Sequence, residues 1–187
     1  MSLGLFRLGR FLLYLLLTGL LVLSIAAAAL TMRVASELPS IETLRDVQLQ
    51  VPLRVYTQDR LLLAEFGEKR RNPVRIEDVP EDLVHAFLAA EDDRFFEHPG
   101  VDVFGLMRAV YELVRTGEKR QGGSTITMQV ARNFYLTRQK TYTRKLSEIF
   151  LALRIEDDLS KPEILALYLN KIYLGHRAYG VGAAAQV

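Results

Sequence analysis

Three short stretches of this sequence carry side chains able to do chemistry. Residues 91–100, EDDRFFEHPG, hold Glu91, Asp92, Asp93 and Glu97 against a lone Arg94. Glu91 falls at the end of an apolar, helix-like run, beside Phe95 and Phe96. A carboxylate held against aromatic rings loses part of its hydration, which favours proton uptake and suits a general base. The plainer alternative is a solvated acidic helix end with His98 packing a turn. Residues 122–133, GGSTITMQVARN, set two glycines before Ser124 and Thr125 at a predicted helix start. Exposed backbone N–H groups and two hydroxyls there suit phosphate or sugar oxygens. An ordinary capped helix would have the same letters, and no Walker-type GK[ST] follows. In residues 144–156, RKLSEIFLALRIE, Arg144, Lys145 and Glu148 lie within one turn. They are either a surface pair at i, i+4, or two cations for a diphosphate with a carboxylate alongside.

The charge order adds to this. From 121 to 147 the chain has five basic residues, Arg132, Arg138, Lys140, Arg144 and Lys145, and no acid. An acidic cluster followed by a basic one is what a site needs if it must both take a proton and hold an anion.

Elements must bring these segments together. From Pro80 onward the periodicity is helical, with Leu83, Phe87 and Ala90 on one face and Pro80 at a first helical position. Asp102 is placed to cap a helix with Val103, Leu106, Val110 and Leu113 on its apolar face, ending at Gly117. Ser124 is the expected cap of the next helix. A longer helix is predicted over 138–157, and Ser160-Lys161-Pro162-Glu163 is a capping box that opens another. Residues 49–57 and 61–66 read as a hairpin or two short strands, and residues 69–73 as a loop. Gly175, Gly180 and Gly182 mark a turn and a last helix.

Residues 11–32 contain no charge and are long enough to cross a hydrocarbon core of roughly 30 Å. Arg7 and Arg10 precede them without an acid, which keeps the N-terminus in the cytoplasm and exports the rest. A cleaved signal peptide is the competing reading, but the apolar run exceeds the usual signal core. Beyond residue 33 the charges nearly balance, against a general nucleic-acid binder. The sequence has no cysteine and three scattered histidines, His85, His98 and His176, which argues against a cysteine or histidine metal cluster.

Taken in order, the motifs are specific. E-D-x-x-F-x-x-H-x-G at 91–100, G-G-S-T-I-T-x-Q at 122–129, R-K-x-x-E at 144–148, K-x-E-I-L-x-x-Y-L-N at 161–170 and Y-G-V-G-A-A-A at 179–185 resemble the peptidoglycan glycosyltransferases. These form glycosyltransferase family 51, found in class A penicillin-binding proteins and monofunctional transglycosylases. The ending KIYLGHRAYGVGAAAQV is similar to the penicillin-binding protein 1A type. Met128 and Ala166 depart from the family pattern, which has glutamine and glutamate there. Family domains normally continue for some tens of residues past a point such as Val187, so an N-terminal fragment is expected.

The resemblance implies a mainly α, lysozyme-like glycosyltransferase domain with a small β element, preceded by one transmembrane helix. The expected divisions are a cytoplasmic N-terminus (1–10), an anchor (11–32), a stem with a short β element (33–76) and the domain proper (77–187). It implies a single-pass protein of the bacterial cytoplasmic membrane with the domain on the periplasmic face. The implied reaction polymerises lipid II into glycan strands with inversion at the anomeric carbon. Glu91 and Glu148 are the implied catalytic carboxylates. Ser124, Thr125, Gln129, Arg132, Arg144 and Lys145 would bind substrate, while Asp92, Phe95, His98 and Gly123 shape the site. Phe134-Tyr135-Leu136 would help keep it at the membrane. Mg2+ or another divalent cation is the candidate cofactor, with Glu148 as candidate ligand. The implied partners are lipid II, the growing glycan, the membrane and other cell-wall synthesis proteins, with no nucleic acid. Moenomycin, a phosphoglycolipid, would occupy the donor site. A lytic glycan-cleaving enzyme and a non-catalytic anchored scaffold are the alternatives.

Overall fold

The computed structural model of this chain describes residues 2–36, 38–41, 44, 49–118, 123–136 and 141–187, with side chains from residue 9 onward except at 142. Gly122, Arg138, Lys140 and, within the expected stem, residues 37, 42, 43 and 45–48 lie outside the described residues. The chain divides into two compact units, Met1–Leu38 and Pro39–Val187.

The first unit is helix α1, Ser2–Ser36. Its stretch Gly9–Ser36 is apolar and long enough to cross a membrane. The apolar side chains point outward all round, as at Leu16, Val22 and Leu23. Its hydroxyls bond back to the helix itself. Thr18 Oγ1 donates to the Tyr14 carbonyl at 2.8 Å, Ser24 Oγ to Leu20 and Thr31 Oγ1 to Ala28. A helix that satisfies its own polar groups is one that hydrocarbon tolerates.

The second unit is mainly helical. Strands β1 (Leu53–Tyr56) and β2 (Leu62–Phe66) pair antiparallel, with Leu53 opposite Phe66 and an irregularity between Val55 and Tyr56. Residues 69–73 are not the expected plain loop. Arg70–Arg71 form strand β3, which pairs in parallel with β4, Ala178–Tyr179. Two adjacent arginines give no strand signal; the pairing depends on a partner more than a hundred residues away.

A 3-10 turn at Ile76–Asp78 leads to α2, Glu81–Glu91. Pro80 is the N-cap residue rather than the first helical one. Helix α3, Val103–Thr116, is capped as expected: Asp102 accepts from the Gly105 amide, and Gly117 closes the helix at φ +71°. Helix α4, Ile126–Tyr135, buries Ile126, Thr127, Met128, Gln129, Val130 and Ala131. It packs against α5 (Tyr142–Asp158) and α6 (Lys161–Lys171). Helix α5 contributes Leu151, Ala152 and Ile155 to that core, and α6 contributes Ile164, Leu165, Tyr168 and Leu169. The capping box at Ser160 and Glu163 opens α6.

Short α7, Val181–Ala184, completes the unit. It lies so close to the chain after β3 that a Cβ on Gly182 would meet the Asn72 carbonyl oxygen at 2.3 Å. Asn170 clamps the same segment: its Oδ1 accepts from the Val74 amide and its Nδ2 donates to the Val74 carbonyl, both at 2.8 Å.

Candidate functional site

The cleft at the heart of the unit forms where α2 ends, α3 begins and α4 starts. It encloses a cavity of about 240 Å³ lined by Glu91, Asp92, Gly123, Ser124 and Thr125 together with residues of α3. Glu91 is the last residue of α2 and is exposed. The expected desolvation by Phe95 and Phe96 is not what the fold provides. Phe95 is buried in the turn beyond Glu91, and Phe96 faces solvent. Glu91 is instead held by polar side chains of α4. Gln129 Nε2 donates to Glu91 Oε2 at 2.8 Å, and Arg132 Nη2 donates to Gln129 Oε1 at 3.3 Å. One turn of α4 thereby presents an amide and a guanidinium in series behind the carboxylate.

Asp92 and His98 fix where Glu91 sits relative to α4. Asp92 is buried, and its oxygens lie 2.9 and 3.1 Å from His98 Nε2. Asp92 Oδ2 also accepts the Ile126 amide at 3.0 Å. That amide is among those a helix start leaves without a partner. The next residue along from Glu91 therefore anchors α4 at its positive end. Thr125, not Ser124, is the N-cap of α4. Its Oγ1 accepts from the Met128 amide and donates to the Gly100 carbonyl at 2.5 Å. Gly100 has φ +86°, and a Cβ there would meet the Ala152 carbonyl oxygen at 2.9 Å. Gly123 is tight against Leu106, whose Cδ1 would lie 2.7 Å from an added Cβ.

Ser124 is thereby free to face elsewhere. Lys145 Nζ donates to Ser124 Oγ at 2.6 Å and to Glu148 Oε2 at 3.0 Å. Arg144 pairs with the other oxygen of Glu148. The surface-pair alternative for this turn is excluded, because the Glu148 side chain is only 1% exposed. Arg144 Nε is buried with no hydrogen-bond partner. Two cations thus sit over one buried carboxylate, and one of them reaches the wall of the Glu91 cleft through Ser124. Both oxygens of Glu148 are engaged by these cations. Among the described residues no group of three or more His, Asp and Glu is placed to hold a metal ion.

Some of the local framework was not singled out from the sequence. Lys161 Nζ donates to the His98 carbonyl at 2.6 Å and to Glu156 at 2.8 Å, and lies 4.4 Å from the Phe95 ring centroid. Thr127 Oγ1 donates to the same Glu156 oxygen at 2.5 Å. These contacts hold the 91–100 turn on α5 and α6. Thr127 and Lys161 are letters of the sequence motifs, which was the available signal; Glu156 closes the quoted stretch 144–156 but lies outside its R-K-x-x-E motif. Arg108 of α3 lines the cleft and was also unread. Tyr168 is fully buried and stacks edge-on with Phe87, one turn before Glu91. Burial and the negative charge of Glu91 push its hydroxyl well above the usual phenol range, against the opposing effect of Arg132. Arg138, Lys140 and Gly122 fall outside the described residues.

Comparison with known proteins gives this geometry a context. The chain is 60% identical over 150 residues to penicillin-binding protein 1A of Pseudomonas aeruginosa, covering 80% of this chain. It is 56% identical over 151 residues to penicillin-binding protein 1A of Escherichia coli, covering 81% of this chain. It spans about 18% of the length of these relatives. A crystal structure of penicillin-binding protein 1A from Haemophilus influenzae aligns with 75% of this chain and 11% of its own, at 27% identity and a TM-score of 0.26. The profile of the transglycosylase family matches residues 59–187, a stretch that includes the whole cleft, and the chain belongs to that family.

Proposed function

We propose that this chain carries the glycosyltransferase centre that polymerises lipid II into peptidoglycan strands at the cytoplasmic membrane. A single contact carries the reading. Lys145 Nζ lies 2.6 Å from Ser124 Oγ, and Ser124 lines the same cavity as Glu91. A base and a cation therefore meet at one cleft, the arrangement required by a sugar transfer whose leaving group is a diphosphate.

In this mechanism Glu91 takes the proton of the acceptor 4-hydroxyl. The freed oxygen attacks the donor anomeric carbon from the face opposite the lipid diphosphate. The new glycosidic bond forms as the bond to the diphosphate oxygen breaks, inverting the centre. The departing group keeps the bonding electrons as negative charge, so cations assist it more than an acid would. Lys145 and Arg144 receive that charge, with Arg132 behind Glu91. Gln129 aims the base and Ser124 faces sugar or phosphate oxygens, whereas Thr125, expected to bind substrate, has its hydroxyl taken up by the Met128 amide and the Gly100 carbonyl and shapes the cleft instead. Glu148 holds the two cations apart and in place until the diphosphate arrives. A divalent cation, were one bound, would be held by Glu148 and would help neutralise the diphosphate. Helix α1 tethers the domain at the bilayer, with the N-terminus in the cytoplasm and the cleft on the outer face. Other cell-wall synthesis proteins are the expected company there.

Incubation with labelled lipid II and sizing of the products tests the reaction: polymer supports it, whereas shorter glycan from a polymer substrate or an unchanged substrate overturns it. Lys145→Ala tests the site. Loss of a cation at the leaving group is expected to lower turnover about 10²–10³-fold and to weaken moenomycin binding; melting should also fall, because Glu148 is left buried with one partner fewer, so turnover is measured below the variant's unfolding range. Unchanged turnover and affinity would remove the diphosphate role.

A further inference from the structure

Away from the cleft, the β3–β4 pair gathers cations and aromatic rings without an acid. The register sets Arg71 opposite Tyr179. The Arg71 guanidinium carbon lies 5.4 Å from the Tyr179 ring centroid, and Lys69 Nζ lies 5.6 Å from the same centroid. Tyr173 packs against Tyr179 with ring centroids 5.0 Å apart. At the end of α6, Lys171 Nζ lies 4.2 Å from the Phe134 ring.

Arg71 is 6% exposed, and its Nε has no hydrogen-bond partner. Glu65 on β2 is engaged by Arg54 at 2.9 Å and Arg70 at 3.8 Å. Among the described residues no carboxylate pairs with Lys69, Arg71 or Lys171. Burial pushes the Arg71 guanidinium below its usual range. The Lys171 ammonium is lowered by burial and then by the charges of Arg71 and Lys69.

A buried guanidinium without a carboxylate is unfavourable unless something else answers its charge. The faces of Tyr179 and Phe134 answer only part of it. The rest calls for a compact oxyanion. Arginine offers planar paired donors to such a group, and the lysines add point charges that rotate to fit. We infer that Lys69, Arg71 and Lys171 form a binding site for a phosphate group, separate from the Glu91 cleft. Its residues do not overlap those lining the cleft, and it does not depend on the reaction proposed above. A free phosphate and a lipid phosphodiester headgroup share the chemistry it recognises.

The test uses the full chain in nanodiscs of phosphatidylcholine, titrated with inorganic phosphate or with sodium chloride at equal ionic strength. Melting temperature and the Arg71 Nε–H resonance are followed. Phosphate is expected to raise the one and shift the other, while chloride does neither. Lys171→Gln should weaken the phosphate response about 10-fold, and Lys69→Gln plus Lys171→Gln should abolish it. The double variant should also melt higher than wild type at low salt without phosphate, because like charges have been removed. Discs of phosphatidylglycerol distinguish the sources. If they shift the Arg71 resonance before phosphate is added and suppress the later response, a headgroup fills the site; an undiminished response assigns it to a soluble anion. A response equal in chloride, or one that survives in the double variant, overturns the site. So does the absence of any phosphate response in the wild type, or a double variant that melts lower than wild type at low salt without phosphate.

Discussion

Substitution of Asp92 tests whether the candidate base and α4 are held together as the structure has them. Asp92→Ala removes the acceptor of the buried Ile126 amide and the partner of His98 Nε2. A hydrogen bond to a charged group contributes about 1.5–3 kcal/mol. Leaving a buried donor without a partner costs about 1–3 kcal/mol more, and His98 Nδ1 already lacks one. Allowing for overlap between these effects, Asp92→Ala should lose about 3–5 kcal/mol. Asp92→Asn keeps the shape and an oxygen for the Ile126 amide, and should lose about half as much. The assay is denaturant unfolding of both variants beside wild type in the same detergent. Turnover is then measured below each variant's unfolding range. Because Gln129 reaches Glu91 from the first turns of α4, a shift of that helix start should lower turnover even in folded Asp92→Ala protein. Unfolding of Asp92→Ala within about 0.5 kcal/mol of wild type would refute the buried anchor, and the alignment of Glu91 with α4 would need another cause.

Three further outcomes follow from the same geometry. Glu91→Gln should lower polymerisation about 10²–10⁴-fold while melting is retained, since the exposed side chain gives up only its role as proton acceptor; activity within a few-fold of wild type would place the base elsewhere. Gly100→Ala should cost more than about 2 kcal/mol, because it combines a left-handed backbone with a carbonyl oxygen 2.9 Å from the new Cβ; an unchanged melt would show that the 91–100 turn can back away from α5. Burial alone would raise the Asp102 carboxyl, but Arg94 and the Gly105 amide outweigh it and hold it below the ordinary value. A carboxyl lowered in the fold contributes stability above its unfolded pKa of about 4 and loses it as pH falls through the folded one. Asp102→Asn should therefore flatten the acid side of a stability profile, and equal slopes in variant and wild type would contradict the assignment.

What the sequence made legible was local. The helix caps at Asp102, Gly117 and Ser160 could be read because capping chemistry acts over three or four residues. The long apolar helix could be read because an uncharged run declares itself, although α1 extends beyond 11–32 at both ends. Ser124 was expected as a cap, but Thr125 takes that place. Either hydroxyl fits the pattern, and the choice is made by the Gly100 carbonyl and by Lys145, which lie far off along the chain. The same limit explains Arg144 and Lys145 beside Glu148. Spacing placed them together, but only packing of α5 on α4 buries the carboxylate. The Arg71–Tyr179 pairing and the Asn170 clamp on Val74 had no local signal at all, because neither partner predicts the other.

That clamp constrains the order in which the domain can form. The strand and turn at 70–74 are made early in synthesis, yet their partners come from Asn170, Gly182 and β4. Val74 and Asn170 lie 96 positions apart. Closing so long a loop costs chain entropy before any contact rewards it. The segment must therefore wait, unpaired, while α2 through α6 assemble, and it locks only as the last elements arrive. Folding of this unit should finish with a slow closing step, and the amides of Arg70 and Val74 should gain protection from hydrogen exchange in step with those of 178–182, well after those of α4.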